Sequence, residues 1–464
     1  MPVLAHFAIV LASLLVYAVS THTSGQRRHP SAALAWVLTI TLLPYVGLPL
    51  YLVLGTRKFV RPARRPVPPS NAPQDSPRGC SIATLEGMGL APPTANQRIC
   101  FHDDGPAAWD ELASLIGSAQ TQLDICTYVL GHDALGRRVG RLLEARAAAG
   151  VRVRLLLDAV GSWRTPSAQV RRLRAAGVQV HWFMPLLRNP LRGRVNLRNH
   201  RKLAIADGQR LWSGGRNLAA EYFNGHGHQA PWVDLSFTLE GPLATQAQDL
   251  FDDHWRHSRG PDSADGSPLP AAAAPREAAP AAADGPQHRA QLVPSGPDQA
   301  EDTVHDLLLT ALFRARHRVQ AVTPYFVPDD SLLTALCLAA RRGVQVELVV
   351  PAHSNHRLAD IARSRALRDL AAAGGQLRLA PGMVHAKAVV VDDTLALCGS
   401  LNLDSRSLFL NFEMMVAFYA PDDIAAVTRW IDHHFHHLPC DEPRRPSLRR
   451  DIAEGLVRWL GFQI

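Results

Sequence analysis

The pattern His-x-Lys-x4-Asp occurs twice in this chain, as His200, Lys202 and Asp207 in NHRKLAIADG and as His385, Lys387 and Asp392 in VHAKAVVVDD. After each Asp six residues intervene before Gly-[Gly/Ser]-x-Asn, first as Gly214-Gly215-Arg216-Asn217 and then as Gly399-Ser400-Leu401-Asn402. One His-x-Lys arises readily by chance. A four-part pattern repeated at one spacing demands that the chain be built from two versions of one structural unit.

The flanking sequence supports that reading. WDELASLIGSAQ and TVHDLLLTALFRARH carry helical periodicity ahead of the strand-like QLDICTYVL and RVQAVTPYFV. A further helix and strand follow in each half, LGRRVGRLLEARAAAGVRVRLLLD against SLLTALCLAARRGVQVELVVP. Alternating helical and strand periods predict α/β sandwich lobes with helices covering a buried sheet. The expected organisation is a membrane hairpin over 1–56, a linker over 57–96, a first lobe over 97–258, an Ala/Pro-rich linker over 259–290, a second lobe over 291–440 and an amphipathic tail over 441–464. The tail sets Leu448, Ile452, Leu456, Trp459 and Leu460 at helical spacing, either to lie on a membrane surface or to pack back on the lobe.

Two apolar runs open the chain, Pro2 to Ser20 and Ser31 to Gly55, each close to the ~20 residues that cross a bilayer. The first has no basic leader and no clear cleavage site, so it reads as retained. Pro44, Gly47 and Pro49 would kink the second run or make it re-entrant, and Trp36, Tyr45 and Tyr51 are candidates for the interface. Arg27 and Arg28 lie between the runs, whereas Arg57, Lys58, Arg61, Arg64 and Arg65 follow the second. Basic residues gather on the cytoplasmic side, which predicts a multi-pass protein of the inner membrane with cytoplasmic lobes. The net charge of +8 suits an anionic partner, and the hairpin makes that partner the anionic membrane, with no nucleic acid expected. The six cysteines are scattered without metal or redox spacing, and reduced, mostly buried thiols are expected.

Alternate strand residues share a face, so each His projects with its Lys. Two such strands side by side bring two imidazoles, two ammonium groups and the amides of Asn217 and Asn402 to one point. That set suits a phosphodiester. Lysine and asparagine donors would stabilise the non-bridging oxygens, one histidine would attack phosphorus, and the other would protonate the leaving alkoxide and then deprotonate the incoming hydroxyl. No metal or other cofactor is called for. Small Gly-Gly and Gly-Ser pairs would let backbone approach the anion. Each histidine needs its second ring nitrogen held; Asp234 in PWVDLSFTL and Glu413 in LNFEMMVAF stand in apolar strands, where a lone carboxylate is costly. Each is expected to pair with the histidine of the other half. Asp207 and Asp392 belong to the motif and to the expected catalytic set, although an Asp at a turn commonly bonds turn amides instead.

These residues resemble the phospholipase D superfamily, defined by two His-x-Lys-x4-Asp motifs meeting at one site, and more closely the bacterial cardiolipin synthases. TPYFVPDD, HAKAVVVDD, GSLNLDSRSL, NFE, GGRNLAAEY and Trp232-Val-Asp234 carry the likeness. The resemblance implies two tandem phospholipase D-like lobes sharing one active site, and phosphatidyl transfer between two phosphatidylglycerol molecules to give cardiolipin and glycerol. It makes His200 the nucleophile and His385 the acid and base. A hydrolase passing the same intermediate to water stays open. Departures at Asn355 and in LRLAPGM, before His385, leave the lipid preference open as well.

Overall fold

The computed structural model describes residues 2–24, 30–55, 57–58, 72, 76–185, 196–225, 227, 230–259, 288–443, 446–447, 450–451 and 454–455. Arg27, Arg28, Arg61, Arg64 and Arg65, nearly all of the Ala/Pro-rich segment and the apolar positions of the tail lie outside these residues.

Two sheets carry the repeat. In the first, strand order runs Arg98–His102, Ser236–Glu240, Arg210–Gly214, Leu203–Ala206, Gln122–Thr127, Arg152–Asp158, Gln179–Phe183. The second runs His288–Ser295, Glu413–Phe418, Leu395–Gly399, Ala388–Val391, Arg318–Val322, Gln345–Pro351, Gln376–Ala380. Strand for strand the order and the parallel or antiparallel sense agree. Leu123 faces Ala206 in one sheet as Val319 faces Val391 in the other. Side-chain alternation divides each motif strand between two cores. Leu203 and Ile205 face a core between the sheets, while Ala204 and Ala206 face the first lobe's outer helices. Ala388 and Val390 join the same inner core, and Val389 and Val391 the second lobe's own.

That inner core fuses the lobes. The helices Pro242–Arg259 and Pro421–Phe435 lie within it and touch strands of both sheets. Phe418 meets Phe101 and Phe237 of the first lobe edge-on, with ring centroids 5.1 and 5.4 Å apart. Such pairs add about 0.5–1.5 kcal/mol each beyond burial.

Part of the segment expected to be a linker is built into the second lobe. The helix Pro77–Gly87, capped by the Ser76 hydroxyl, buries Ile82 and Leu85 in that lobe's core. Thr94–Asn96 then adds an antiparallel edge strand to His288–Ala290.

The N-terminal region departs from a two-span hairpin. Pro2–Ser24 has 23 residues, about 34 Å at 1.5 Å per residue, enough for a bilayer's hydrocarbon. The second run divides into Pro30–Leu42 and Pro44–Leu54, and neither helix alone is that long. The break falls at Leu43, which the following proline forces out of the helical region (φ −135°, ψ 62°). Gly47 then packs so tightly on Thr39 and Ile40 that a Cβ there would lie 2.8 Å from the Thr39 carbonyl oxygen. Tyr51 is buried against Tyr17 and Trp36, while Tyr45 is exposed. Leu4, Phe7, Leu11 and Leu15 face outward, the surface a lipid-facing helix presents.

Candidate active site

Neither His-x-Lys segment lies in a regular strand; each precedes one and crosses to the other lobe. The His200 amide donates to the Phe412 carbonyl at 2.9 Å, and the Phe412 amide to the Arg198 carbonyl at 2.9 Å. Symmetrically, the His385 amide donates to the Val233 carbonyl at 2.7 Å, and the Val233 amide to the Met383 carbonyl at 2.9 Å. Phe412 and Val233 immediately precede Glu413 and Asp234. These two bridges therefore deliver each carboxylate to the histidine of the opposite half.

Nδ1 of His385 is 2.8 Å from Oδ2 of Asp234, and its other oxygen accepts the Leu235 amide at 2.8 Å. Nδ1 of His200 stands 3.2 Å from Oε1 of Glu413, within ion-pair reach but not aligned as a hydrogen bond. Both carboxylates are fully buried, His385 is 7 % exposed and His200 is 18 % exposed. Nζ of Lys202 donates to the His200 carbonyl at 2.5 Å, and Nζ of Lys387 to that of His385. Lys387 also lies 2.8 and 3.0 Å from the two ring nitrogens of His385.

Burial governs the protonation states. It holds His200 down at about 4, with help from Lys202 and against Glu413. It holds His385 at about 3, with Lys387 pushing the same way against Asp234. Lys387 is lowered to about 7 and Lys202 is lowered too, both chiefly by burial. Burial would raise the carboxylates, yet His385 keeps Asp234, and His200 keeps Glu413, below the ordinary range. The site at rest is two neutral imidazoles, each against an ionised carboxylate, with two crowded lysines beside them whose charge burial opposes. An arriving anion relieves that crowding and favours every protonated base.

Asn217 and Asn402 sit beside this cluster with their amides in use. Nδ2 of Asn217 donates to the Tyr222 hydroxyl at 2.8 Å, which leaves it a second hydrogen, and the amide of Asn402 serves the Ser407 hydroxyl at 3.1 Å and the Asp404 carboxylate. The glycine pairs admit protein rather than an anion: a Cβ on Gly215 would lie 2.2 Å from Oδ1 of Asp234, and one on Gly399 2.2 Å from the Met414 carbonyl oxygen.

Asp207 and Asp392 are a correction. Four strand residues separate each from its lysine, five steps or roughly 16 Å at ~3.3 Å per step. Asp392 accepts the amides of Arg316, His317 and Arg318 at 2.8–2.9 Å, and Asp207 those of Gln120, Thr121 and Gln122 at 2.8–3.0 Å. Both take positive φ, 54° and 48°. They pin the turn to the start of the neighbouring strand and do not reach the histidines.

Other neighbours escape sequence reasoning. Ser400, which replaces Gly215 in the repeat, donates to Oε2 of Glu413 at 2.6 Å. Tyr128 lies against His200 at 4.2 Å between ring centroids, and Tyr222 and Trp232 flank His385 at 4.9 and 5.6 Å. The available signals were the Gly-to-Ser change between the repeats and the place of Tyr222 and Trp232 in segments that carry the family likeness. The aromatics come from loops of the first lobe with no counterpart pattern in the second. No group of three or more side chains able to hold a metal occurs among the described residues.

Two matching sheets, each launching a His-Lys pair toward the other, define a two-lobed protein of phospholipase D type. The family model for the cardiolipin synthase, phospholipase D-like domain matches residues 112–255 and 308–438, and that for the phospholipase D-nuclease N-terminal region matches 9–55. Cardiolipin synthase A of Pseudomonas aeruginosa is 34% identical over 88% of this chain and 85% of its own length. A cardiolipin synthase of Geobacillus kaustophilus is 28% identical over 97% and 92%. The chain belongs to the cardiolipin synthase family. Its fold is also that of phosphatidylserine synthase from Haemophilus influenzae, with a TM-score of 0.62 at 14% identity over 83% of this chain and all of that one.

Proposed function

We propose that this protein is a membrane-bound cardiolipin synthase that joins two phosphatidylglycerol molecules through a covalent phospho-histidine in one site shared by both lobes. The observation that carries it is the crossed pair of contacts, His200 with Glu413 and His385 with Asp234, beside two buried lysines. With Nδ1 turned to Glu413, His200 keeps the Nε2 lone pair for phosphorus. Nε2 attacks, the bond from phosphorus to the glycerol headgroup breaks, and His385 gives its proton to the departing alkoxide. The anionic substrate supports that step by drawing His385 toward its protonated form. The terminal hydroxyl of the second phosphatidylglycerol then passes its proton to His385 and attacks phosphorus. The phosphorus–nitrogen bond breaks, and cardiolipin leaves. Lys202 and Lys387, with the amides of Asn217 and Asn402, hold the non-bridging oxygens throughout.

Membrane attachment is supported by the exposed apolar helix at the N-terminus. The second apolar run enters as a bent pair of helices, so a multi-pass arrangement has it re-entrant or spanning at an angle. The basic residues that follow the second run support a cytoplasmic side for the lobes. Incubating the purified protein with phosphatidylglycerol alone tests the chemistry. Cardiolipin and glycerol in equal amounts are expected; phosphatidic acid as the main product would assign the second step to water and sink the transferase reading.

A further inference from the structure

The end of the apolar region is plugged into the lobe that carries Glu413. Lys58 is 8 % exposed, and its ammonium meets three acceptors from a single loop: the Gly296 carbonyl at 3.1 Å, the Glu301 carbonyl at 2.9 Å and Oδ1 of Asp302 at 2.9 Å. Two carbonyls accepting hydrogen bonds and one carboxylate oxygen in ion-pair contact surround the ammonium group. Arg57 takes the other Asp302 oxygen at 2.6 Å and lies 4.6 Å above the Phe409 ring. Only four peptide steps, at most about 14 Å of chain, separate Lys58 from Leu54, the last residue of the apolar helix.

The same loop braces the site. It leaves the strand His288–Ser295 at Ser295, the register partner of Glu413. Asp298 in the loop pairs with Arg201 at 2.9 Å and with His254 at 3.1 Å. Arg201, between His200 and Lys202 in sequence, donates to the Glu413 carbonyl at 2.8 Å and to the Ser295 carbonyl at 3.2 Å. The loop, with Lys58 and Arg57 on one side and Arg201 on the other, thus links the membrane segment to the backbone of Glu413.

We infer that Arg57 and Lys58 latch the membrane segment to the loop Gly296–Asp302, holding the site at a fixed height and tilt against the lipid surface from which it draws phosphatidylglycerol. This rests on the apolar helices lying in a bilayer, as proposed above. The latch matters for lipid in a membrane and not for lipid dissolved as single molecules, because only the first arrives at a set height and orientation.

The test uses the full-length protein and the double variant Arg57→Gln/Lys58→Gln, with Asp302→Asn as a second route to the same break. Turnover is measured on vesicles of long-chain phosphatidylglycerol and on dihexanoyl phosphatidylglycerol kept below micelle formation. Misorientation predicts a loss of about tenfold or more on vesicles, with monomer turnover held within about twofold. The monomer rate also reports that the lobes are folded. Equal losses on both substrates would reduce Arg57 and Lys58 to structural residues, and no loss on vesicles would remove the latch altogether; either overturns the inference. If the wild-type product is phosphatidic acid, the transferase reading fails separately, and the vesicle-to-monomer ratio for that product still decides the latch.

Discussion

Replacing Asp234 with Asn removes a charge 2.8 Å from Nδ1 of His385 and keeps the size of the side chain. The carboxylate is fully buried and the imidazole nearly so, and water does little to screen the pair. With charge centres about 4 Å apart and an effective dielectric constant of about 20, the carboxylate favours the imidazolium by about 4 kcal/mol. At about 1.4 kcal/mol per decade, losing it makes protonated His385 about a thousandfold scarcer. If His385 protonates the leaving glycerol, turnover of phosphatidylglycerol falls by about the same factor. The decisive comparison uses phosphatidyl-p-nitrophenol, whose leaving group departs without a proton. Stopped-flow absorbance should then show Asp234→Asn releasing a rapid burst of p-nitrophenolate equal to the enzyme present, followed by a slow steady state, because His385 must still deprotonate the acceptor. Glu413→Gln, acting on the nucleophile, should give no such rescue, and His200→Ala no burst. A burst from Glu413→Gln with none from Asp234→Asn would reverse the two histidines, and equal loss on both substrates in Asp234→Asn would refute the reasoning.

Gly215→Ala should mimic Asp234→Asn, since its Cβ would drive the carboxylate off His385; a loss of about a hundredfold in turnover with an unchanged melting temperature is expected, and full activity would contradict the close packing. Asp392→Ala strips three amides of their acceptor at a position with φ 48° and should lower stability by about 2–4 kcal/mol by denaturant melt, while the folded fraction keeps its rate; loss of activity without loss of stability would return Asp392 to the chemistry. Stability should also depend on pH from both sides. His200 and His385, held at about 4 and 3, favour the folded state fully above about 6.5, and that contribution drains away as pH falls toward 4, because the unfolded chain takes up the protons first. His305 runs oppositely. Asp306 and Asp329 outweigh burial and hold it at about 9, so its contribution is complete below about 6.5 and lost as pH rises to 9. Melting temperatures across pH 4 to 9 should therefore peak near neutrality, and His305→Ala should flatten the alkaline side; an unchanged alkaline slope in that variant would contradict the assignment.

The doubled motif made the two lobes legible because a repeat is a local signal, readable as spacing without knowing where anything lies. The same was true of the apolar runs, whose length and lack of charge speak for themselves, and of Asp234 and Glu413, whose strands leave a carboxylate no inexpensive place but beside a base. Spacing misled at Asp207 and Asp392. They share the motif with the histidines, but a strand's rise carries them to the opposite end, where three amides need an acceptor. It was also silent on Leu43, where one proline in an apolar run divides a span into two short helices, and on Lys58, which reads as a topology signal and sits in a socket more than two hundred residues away in sequence.

Composition and spacing thus determined by themselves that this chain is two copies of one α/β unit behind an apolar segment, each copy bearing His, Lys and Asn at matched positions. The tertiary structure decided which carboxylate serves which histidine, and how tightly. That depends on Asn199 pairing with Phe412 and Val233 with Val384, backbone contacts between residues more than a hundred and fifty positions apart. They form only once the two sheets have closed on the core they share. No local preference encodes them; burying the inner faces of both sheets against the helices Pro242–Arg259 and Pro421–Phe435 brings them together.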